Sequence, residues 1–448
     1  MTAVLSALEE RLEDPTAKGL AHAVSAAVRD GVLRAGDRLP PIRVVATELA
    51  MSPTTVSAAW GLLTRSGTVA TDGRRGTRVL EQGVPGAGGR YRTALDRHTA
   101  FALDLSTGVP DPALLPDLGA ALRSLPAAPA TGSYLDDPVL PELAEALRAD
   151  WPYDATELTV ADGAMDAIDL LVRTTLRFGD RVVVEDPGFP PLLDLLESVG
   201  AQVVGVPVDD EGLDPDALAA ALRDGARAVF LQPRAQNPTG VGTSERRARA
   251  LARLLDGSDA LVVEDDSAYG LCTTPLVSLG RWLPGSTVHV RSFSKAYGPD
   301  LRLAAMSAPP EVHRAVTARR QLGQGWSSRL LQQVLVQLLT GAGEQVARAA
   351  STYAARRAAL VAALGERGVG VGGSEGLNVW VPVGDETAAV VRLASQGIGV
   401  APGRPFRVGT TGEAGHVRVT VGLVDSGVPE LADALAAAAR SAGWRGGR

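Results

Sequence analysis

From about residue 100 onward the chain alternates short β-branched runs with amphipathic helical stretches. No other feature constrains its fold as strongly. Strand-like runs read at Leu158–Val160, Arg181–Val184, Gln202–Val206, Ala228–Leu231, Leu261–Glu264 and Thr287–Arg291. Helical stretches such as Asp214–Leu222 and Thr243–Leu255 lie between most of them. Parallel strands need long crossovers, which helices supply, so the pattern predicts an α/β body with a mostly parallel sheet covered on both faces. On such sheets ligands sit beyond the carboxyl ends of the strands. The residues at those ends are therefore the first candidates for chemistry.

They form a coherent set. Asp162-Gly163-Ala164-Met165 opens a helix after the first strand, and free amides with a helix dipole make a seat for an anion. Glu185-Asp186-Pro187-Gly188-Phe189 places an aromatic ring just beyond a strand, and Gln236-Asn237-Pro238-Thr239-Gly240 follows Phe230-Leu231. Glu264-Asp265-Asp266 closes another strand, with Tyr269 soon after. The last strand runs into Ser292-Phe293-Ser294-Lys295, followed by Arg302. Lysine is scarce here: Lys18 and Lys295 stand against 42 arginines among 44 basic residues. Arginine cannot form an imine through a deprotonated amine, so a lysine kept at a strand end is a candidate for covalent chemistry. Singly, a Gly-Ala helix start or an Asn-Pro turn is structural more often than functional. Together they offer an anion seat, a flat face, a partner for a phenolic oxygen, a carboxylate and an amine. Those are the requirements of pyridoxal phosphate.

The first 80 residues read differently. Leu20, Val24, Ala27 and Val28 recur at helical spacing between about Ala17 and Val32, and Ile42–Ala50 forms a second helical stretch. A third starts with Ser52 as N-cap and Pro53 at the first helical position, with Val56, Ala59, Trp60 and Leu63 as its apolar stripe. Two β-prone runs around Asp72-Gly73-Arg74-Arg75-Gly76 predict a basic hairpin. This is the plan of a winged helix, an α+β unit. Ser52, Thr54 and Thr55 at a helix start, Arg43 on the preceding helix, and Arg74 and Arg75 on the wing are the candidate DNA contacts. Charge agrees: residues 15–80 carry nine Lys/Arg against four Asp/Glu, whereas residues 81–448 carry 34 against 43. Residues 1–14 are charged and expected to be helical. Residues 81–99 are Gly-rich and read as a flexible linker reaching roughly 25 Å. The single cysteine, Cys272, and the lack of an apolar run of about 18 residues point to a reducing, cytoplasmic setting. No metal-ligand pattern stands out.

Residues 17–80 resemble a GntR-family DNA-binding domain, through Gly31-x-Leu33-x-x-Gly36-Asp37-x-Leu39-Pro40, the Arg43 helix, Ser52-Pro53-Thr54-Thr55-Val56 and Gly73-Arg74-Arg75-Gly76-Thr77. Residues 100–448 resemble fold-type I aminotransferases in the order of the motifs above. That resemblance implies that Lys295 forms the Schiff base with pyridoxal phosphate. It implies that Arg302, Ser292 and Ser294 hold the phosphate with amides of Ala164 and Met165 beside Gly163. Phe189 would stack on the ring and Asn237 would bond its hydroxyl oxygen. Tyr134 would reach the phosphate from a partner subunit, and Arg418 would hold a ligand carboxylate. For the ring-nitrogen carboxylate, Glu-Asp-Asp points to Asp265, the preferred assignment, and Asp-x-x-Tyr spacing to Asp266 as the alternative, with Tyr269 placed near the ring. The whole chain resembles MocR-type (GabR-like) regulators, with a head over residues 1–80, a linker over 81–99 and a body over 100–448. The resemblance implies a homodimeric transcription regulator that binds operator DNA and senses an amino compound or the cofactor itself. The alternative is a working aminotransferase carrying a DNA-binding head.

Overall fold

The structure is a computed structural model that describes residues 2–12, 14–29, 32–34, 36–65, 69–72, 76–79, 89–90, 101–125, 133, 136–409 and 415–441. Arg74, Arg75, Tyr134 and all of the 81–99 segment except residues 89–90 lie outside the described residues. The chain divides into two compact units: residues 1–89 with 176–182 and 193–203, and residues 90–175 with 183–192 and 204–448.

Four helices and a hairpin build the N-terminal head: α1 (Thr2–Glu9), α2 (Ala17–Arg29), α3 (Ile42–Glu48), α4 (Pro53–Arg65), β1 (Val69–Asp72) and β2 (Gly76–Val79). The start of α4 follows its sequence signal, because the Ser52 hydroxyl accepts from the Thr55 N–H at 3.0 Å and Pro53 needs no partner. β1 and β2 pair antiparallel with Val69 opposite Val79, as a wing requires. Leu20, Val24, Val45, Val56, Ala59 and Leu63 are buried in one core with Trp60, whose role is packing. α1, whose purpose was not legible, adds Leu8 to that core. α2 is described over Ala17–Arg29, and Val32 is not part of it.

The remainder is built on an eight-stranded sheet of order β4-β11-β10-β9-β8-β5-β6-β7. After the short β3 (Leu103–Asp104), its strands are β4 (Glu157–Ala161), β5 (Arg181–Asp186), β6 (Gln202–Asp209), β7 (Gly212–Leu213), β8 (Ala228–Leu231), β9 (Leu261–Asp266), β10 (Thr287–Ser292) and β11 (Ala304–Ala308). β8, β9 and β10 run parallel, while β11 runs antiparallel to both β10 and β4. All six expected strands are present. The sequence Ala-Ala-Met-Ser-Ala gave β11 no β-branched signature, yet all five of its residues are buried. Helix starts shift slightly from expectation, because Asp214 and Ser244 serve as N-caps of Pro215–Arg223 and Glu245–Leu255. A smaller antiparallel sheet follows: β12 (Asn378–Val383), then β15 (Gly415–Thr420) and β14 (Ala401–Pro402); β13 (Ile398–Gly399) pairs instead with β3. No helix among the described residues is long and apolar enough to cross a membrane.

Candidate functional site

The carboxyl ends of β4, β5, β8, β9 and β10 carry the residues singled out above. Beyond β4, Gly163 has φ +107 and opens the helix Ala164–Thr175. The Arg302 guanidinium lies against it: Nη2 donates to the Asp162 carbonyl at 3.3 Å, and a Cβ on Gly163 would come within 2.4 Å of that nitrogen. Arg302 adopts a left-handed conformation, φ 47 and ψ 41, after the turn Pro299–Leu301. This short 3-10 turn and the left-handed residue after it bring the Arg302 side chain back to Asp162 and Gly163. An exposed cation beside a helix N-terminus with an absent Cβ is a cradle for a phosphate-sized anion. The buried Ser292 lies at the end of β10; its hydroxyl accepts from the Ser294 N–H at 3.4 Å.

Lys295 sits in the first turn of the short helix Ser294–Tyr297. Burial pushes its amine below the ordinary lysine value; the Asp265 carboxylate opposes that and the Arg418 charge adds to it. A lysine that sheds its proton readily is a nucleophile.

Adjacent carboxylates on β9 meet opposite fates, because successive side chains of a strand point to opposite faces. Asp266 is fully buried and takes a bidentate ion pair from Arg234, with Nε and Nη2 each 2.7 Å from an oxygen. Burial alone would raise its carboxyl, but the Arg234 charge and hydrogen bonds hold it well below the usual carboxylate range. Asp265 accepts from Gln232 Nε2 at 2.7 Å through Oδ2, while its buried Oδ1 has no hydrogen-bond partner among the described residues. Burial pushes the Asp265 carboxyl up to about 6, with the Gln232 hydrogen bond and the Lys295 charge opposing. Of the two, Asp265 is therefore the carboxylate whose charge acts on Lys295 and that keeps an oxygen without a hydrogen bond among the described residues.

Asn237 lies on the loop after β8, and its Oδ1 accepts from Arg418 Nη1 at 3.2 Å. Arg418, on β15 and buried, also donates from Nη2 to the Ser106 carbonyl and sits over the Phe406 ring at 5.1 Å. Phe189 is half-buried just past β5. Tyr269 packs edge-on to Phe293 at 5.6 Å, with Arg291 4.7 Å from its ring centre. Arg291 is equally close to Trp151, so one cation is held between two aromatic faces.

Sequence reasoning missed Gln232, Arg234 and the buried group Glu264–His289–Ser278. His289 Nδ1 is 2.8 Å from Glu264 Oε2, and Ser278 donates to the same oxygen at 2.6 Å. Burial alone would lower the His289 imidazole, but Asp266 and Glu264 raise it. The signal for Gln232 and Arg234 was their place directly after β8, where only Asn237 was noticed.

An orphaned buried carboxylate oxygen, a cradle at Gly163 backed by Arg302 and a lysine with a lowered proton affinity fit the acid, phosphate and carbonyl ends of pyridoxal phosphate. On the head, Arg43, Ser52 and Thr54 are exposed and Thr55 is half-buried, around the start of α4.

Comparison with known proteins agrees with both parts. Residues 102–435 match the family of class I and II aminotransferases, and residues 16–79 match bacterial regulatory proteins of the gntR family. The vitamin B6 salvage pathway transcriptional repressor PtsJ of Salmonella typhimurium is 37% identical over 437 residues, covering 94% of this chain and 98% of that protein. The pyridoxine biosynthesis transcriptional regulator PdxR of Corynebacterium glutamicum is 32% identical over 310 residues, 66% of this chain and 67% of that protein. Among solved structures, the kynurenine aminotransferase of Pyrococcus horikoshii superposes with a TM-score of 0.69 at 24% identity, covering 79% of this chain and 95% of that one. That likeness establishes the aminotransferase fold of the body.

Proposed function

The chain belongs to the MocR-type GntR regulators, in which a GntR head is joined to a class I and II aminotransferase body, and from that premise we propose that this transcription regulator reads an amino compound through pyridoxal phosphate held in its body. The observation that carries the reading is the buried Asp265 Oδ1, without a hydrogen-bond partner among the described residues, on a carboxylate whose charge interacts with Lys295. A carboxylate kept unsatisfied in a buried place is costly unless a ligand donor completes it.

When bound, the cofactor supplies an electrophilic carbonyl and an electron-withdrawing ring. Lys295 would hold it covalently, and Asp265 would keep a proton on its ring nitrogen. Arg302, Ser292, Ser294 and the amides of Ala164 and Met165 would bind its phosphate, Phe189 would cover its ring, and Asn237 would bond its hydroxyl oxygen. Arg418, between Asn237 and the Ser106 carbonyl, would receive the carboxylate of the incoming amino compound, with Tyr269 close by. Tyr134 would complete the phosphate site from the second subunit of a homodimer. An amino ligand that competes with Lys295 and engages Arg418 interacts differently with two arrangements of the body, the condition for a population shift. The head, residues 1–80, would read that shift through the 81–99 linker, with Arg43, Ser52, Thr54, Thr55, Arg74 and Arg75 on operator DNA.

The test is spectral and direct. The purified chain should carry cofactor with an absorption band that Lys295→Ala abolishes, and amino acids should change both the band and retention of operator DNA. A preparation without band or cofactor mass, even after incubation with pyridoxal phosphate, refutes it. The presence of Lys295, Asp265 and Arg418 together also favours a second reading, a working aminotransferase. Multiple turnovers between an amino donor and a keto acceptor would establish that one.

A further inference from the structure

Gln232 follows β8 directly and is buried. Its backbone N–H donates to Glu185 Oε2 at 3.1 Å. Its side-chain Nε2 donates to Asp265 Oδ2 at 2.7 Å and to Ser267 Oγ at 3.1 Å, and its Oε1 accepts from the Asn237 N–H at 2.7 Å. The orientation of the amide follows from chemistry. A backbone N–H only donates, so the amide oxygen must face Asn237 and the NH2 group must face Asp265. Asp265 is thereby committed through Oδ2 and left with Oδ1 open. One side chain thus links the carboxylate at the end of β9 to the loop that carries Asn237. Elsewhere in the site those two residues are held separately: the Asn237 side chain meets Arg418, and the Asp265 side chain has no other hydrogen bond among the described residues.

We propose that Gln232 is the positioning residue of this site: its single amide sets Asp265 and Asn237 in fixed relation, so that both address one planar ligand at once. The inference rests on the cofactor reading above and deepens it. Gln232 touches no ligand itself; it acts through its two neighbours. A glutamate here has the same shape and still accepts from Asn237, but it faces Asp265 oxygen to oxygen. Two carboxylates in hydrogen-bond contact cannot both ionise, so they share a proton. The charged groups already acting on Asp265 are Lys295, Asp266 and His289, and Glu185 lies close enough for Asp265 to act on it. None of these changes in the substitution.

The experiment titrates full-length wild type, Q232E and Q232M, each stripped of cofactor, with pyridoxal phosphate. Affinity is read by absorbance, the pH midpoint of the bound band by spectral titration, and folding by thermal unfolding. Loss of a charge-assisted hydrogen bond predicts about tenfold weaker binding in both variants. Q232E should also move the pH midpoint of the band, by about one pH unit or more and further than Q232M, because Q232M only removes the hydrogen bond that lowers the Asp265 carboxyl whereas Q232E adds a competing carboxylate as well. A merely structural glutamine would weaken both variants alike and move neither midpoint. If Q232E does not fold, Q232M decides by affinity and midpoint together: wild-type affinity, or weaker binding with an unmoved midpoint, overturns the proposal. Wild-type affinity with an unmoved midpoint in Q232E overturns it as well. A wild-type chain without a band would bring down the cofactor reading and this proposal with it, whereas a normal wild-type band with unaltered variants brings down this proposal alone.

Discussion

The neighbouring residues Asp265 and Asp266 should respond to the same substitution, Asp→Asn, with opposite signs. Folding raises the Asp265 carboxyl from 3.8 to about 6, because burial disfavours its charge. Between those values the folded chain holds a proton that the unfolded chain has released, so stability falls as pH rises through this window. Above pH 6 the full penalty is in place, about 3 kcal/mol by the shift. D265N removes it and leaves an amide whose oxygen still accepts from Gln232, so the cofactor-free chain should gain about 1–2 kcal/mol at pH 7 after one unmatched NH2 group is counted. The gain should vanish below about pH 4. Asp266 behaves oppositely. Its folded-state value is depressed, so its contribution is present above the ordinary carboxylate value and lost only as pH falls through the depressed one. D266N leaves Arg234, itself nearly buried, without its charged partner, at a cost of about 3–5 kcal/mol. Urea unfolding of the cofactor-free variants at pH 7 and pH 4, read by a probe of the body, measures both. Cofactor titration of the same samples should show that D265N loses affinity far more than its stability suggests. A D265N that is destabilised as much as D266N, or a D266N that alone loses the cofactor, would refute the reasoning.

Gly163→Ala places a Cβ 2.4 Å from Arg302 Nη2 at φ +107, so it should destabilise the body by about 1–3 kcal/mol and weaken pyridoxal phosphate binding in the same titration. Arg418→Ala should leave the cofactor band in place but weaken the response to amino acids at least tenfold, with little change for amines that lack a carboxylate; equal loss for both ligand types would remove Arg418 from the carboxylate role. Arg43→Ala should lower operator affinity and flatten its dependence on salt, as seen in gel retardation at two salt concentrations. Leu8→Ala should cost about 2–5 kcal/mol, because Leu8 is fully buried in the head core; thermal unfolding of that variant tests whether α1 belongs to the folded head.

Patterns local in the chain were legible before any coordinates. The period-2 and period-3.6 alternations announced the six strands and the helices between them, Ser52-Pro53 announced the start of α4, and a rare lysine after a strand announced Lys295. What depended on contacts between distant segments was not legible. Ala304–Ala308 is a strand because β10 and β4 flank it, although its residues have no preference for one. Arg302 reaches Gly163 through a left-handed turn that spacing does not reveal. The different partners of Asp265 and Asp266 had the same character. Sequence shows that adjacent strand residues face opposite ways, but not which face looks toward Lys295. Packing set their surroundings apart: Arg234 from the neighbouring loop took Asp266, and Gln232 took one oxygen of Asp265, the other having no hydrogen bond among the described residues. Side-chain direction follows from the backbone of one strand, whereas a side chain's partners come from every segment the fold brings beside it.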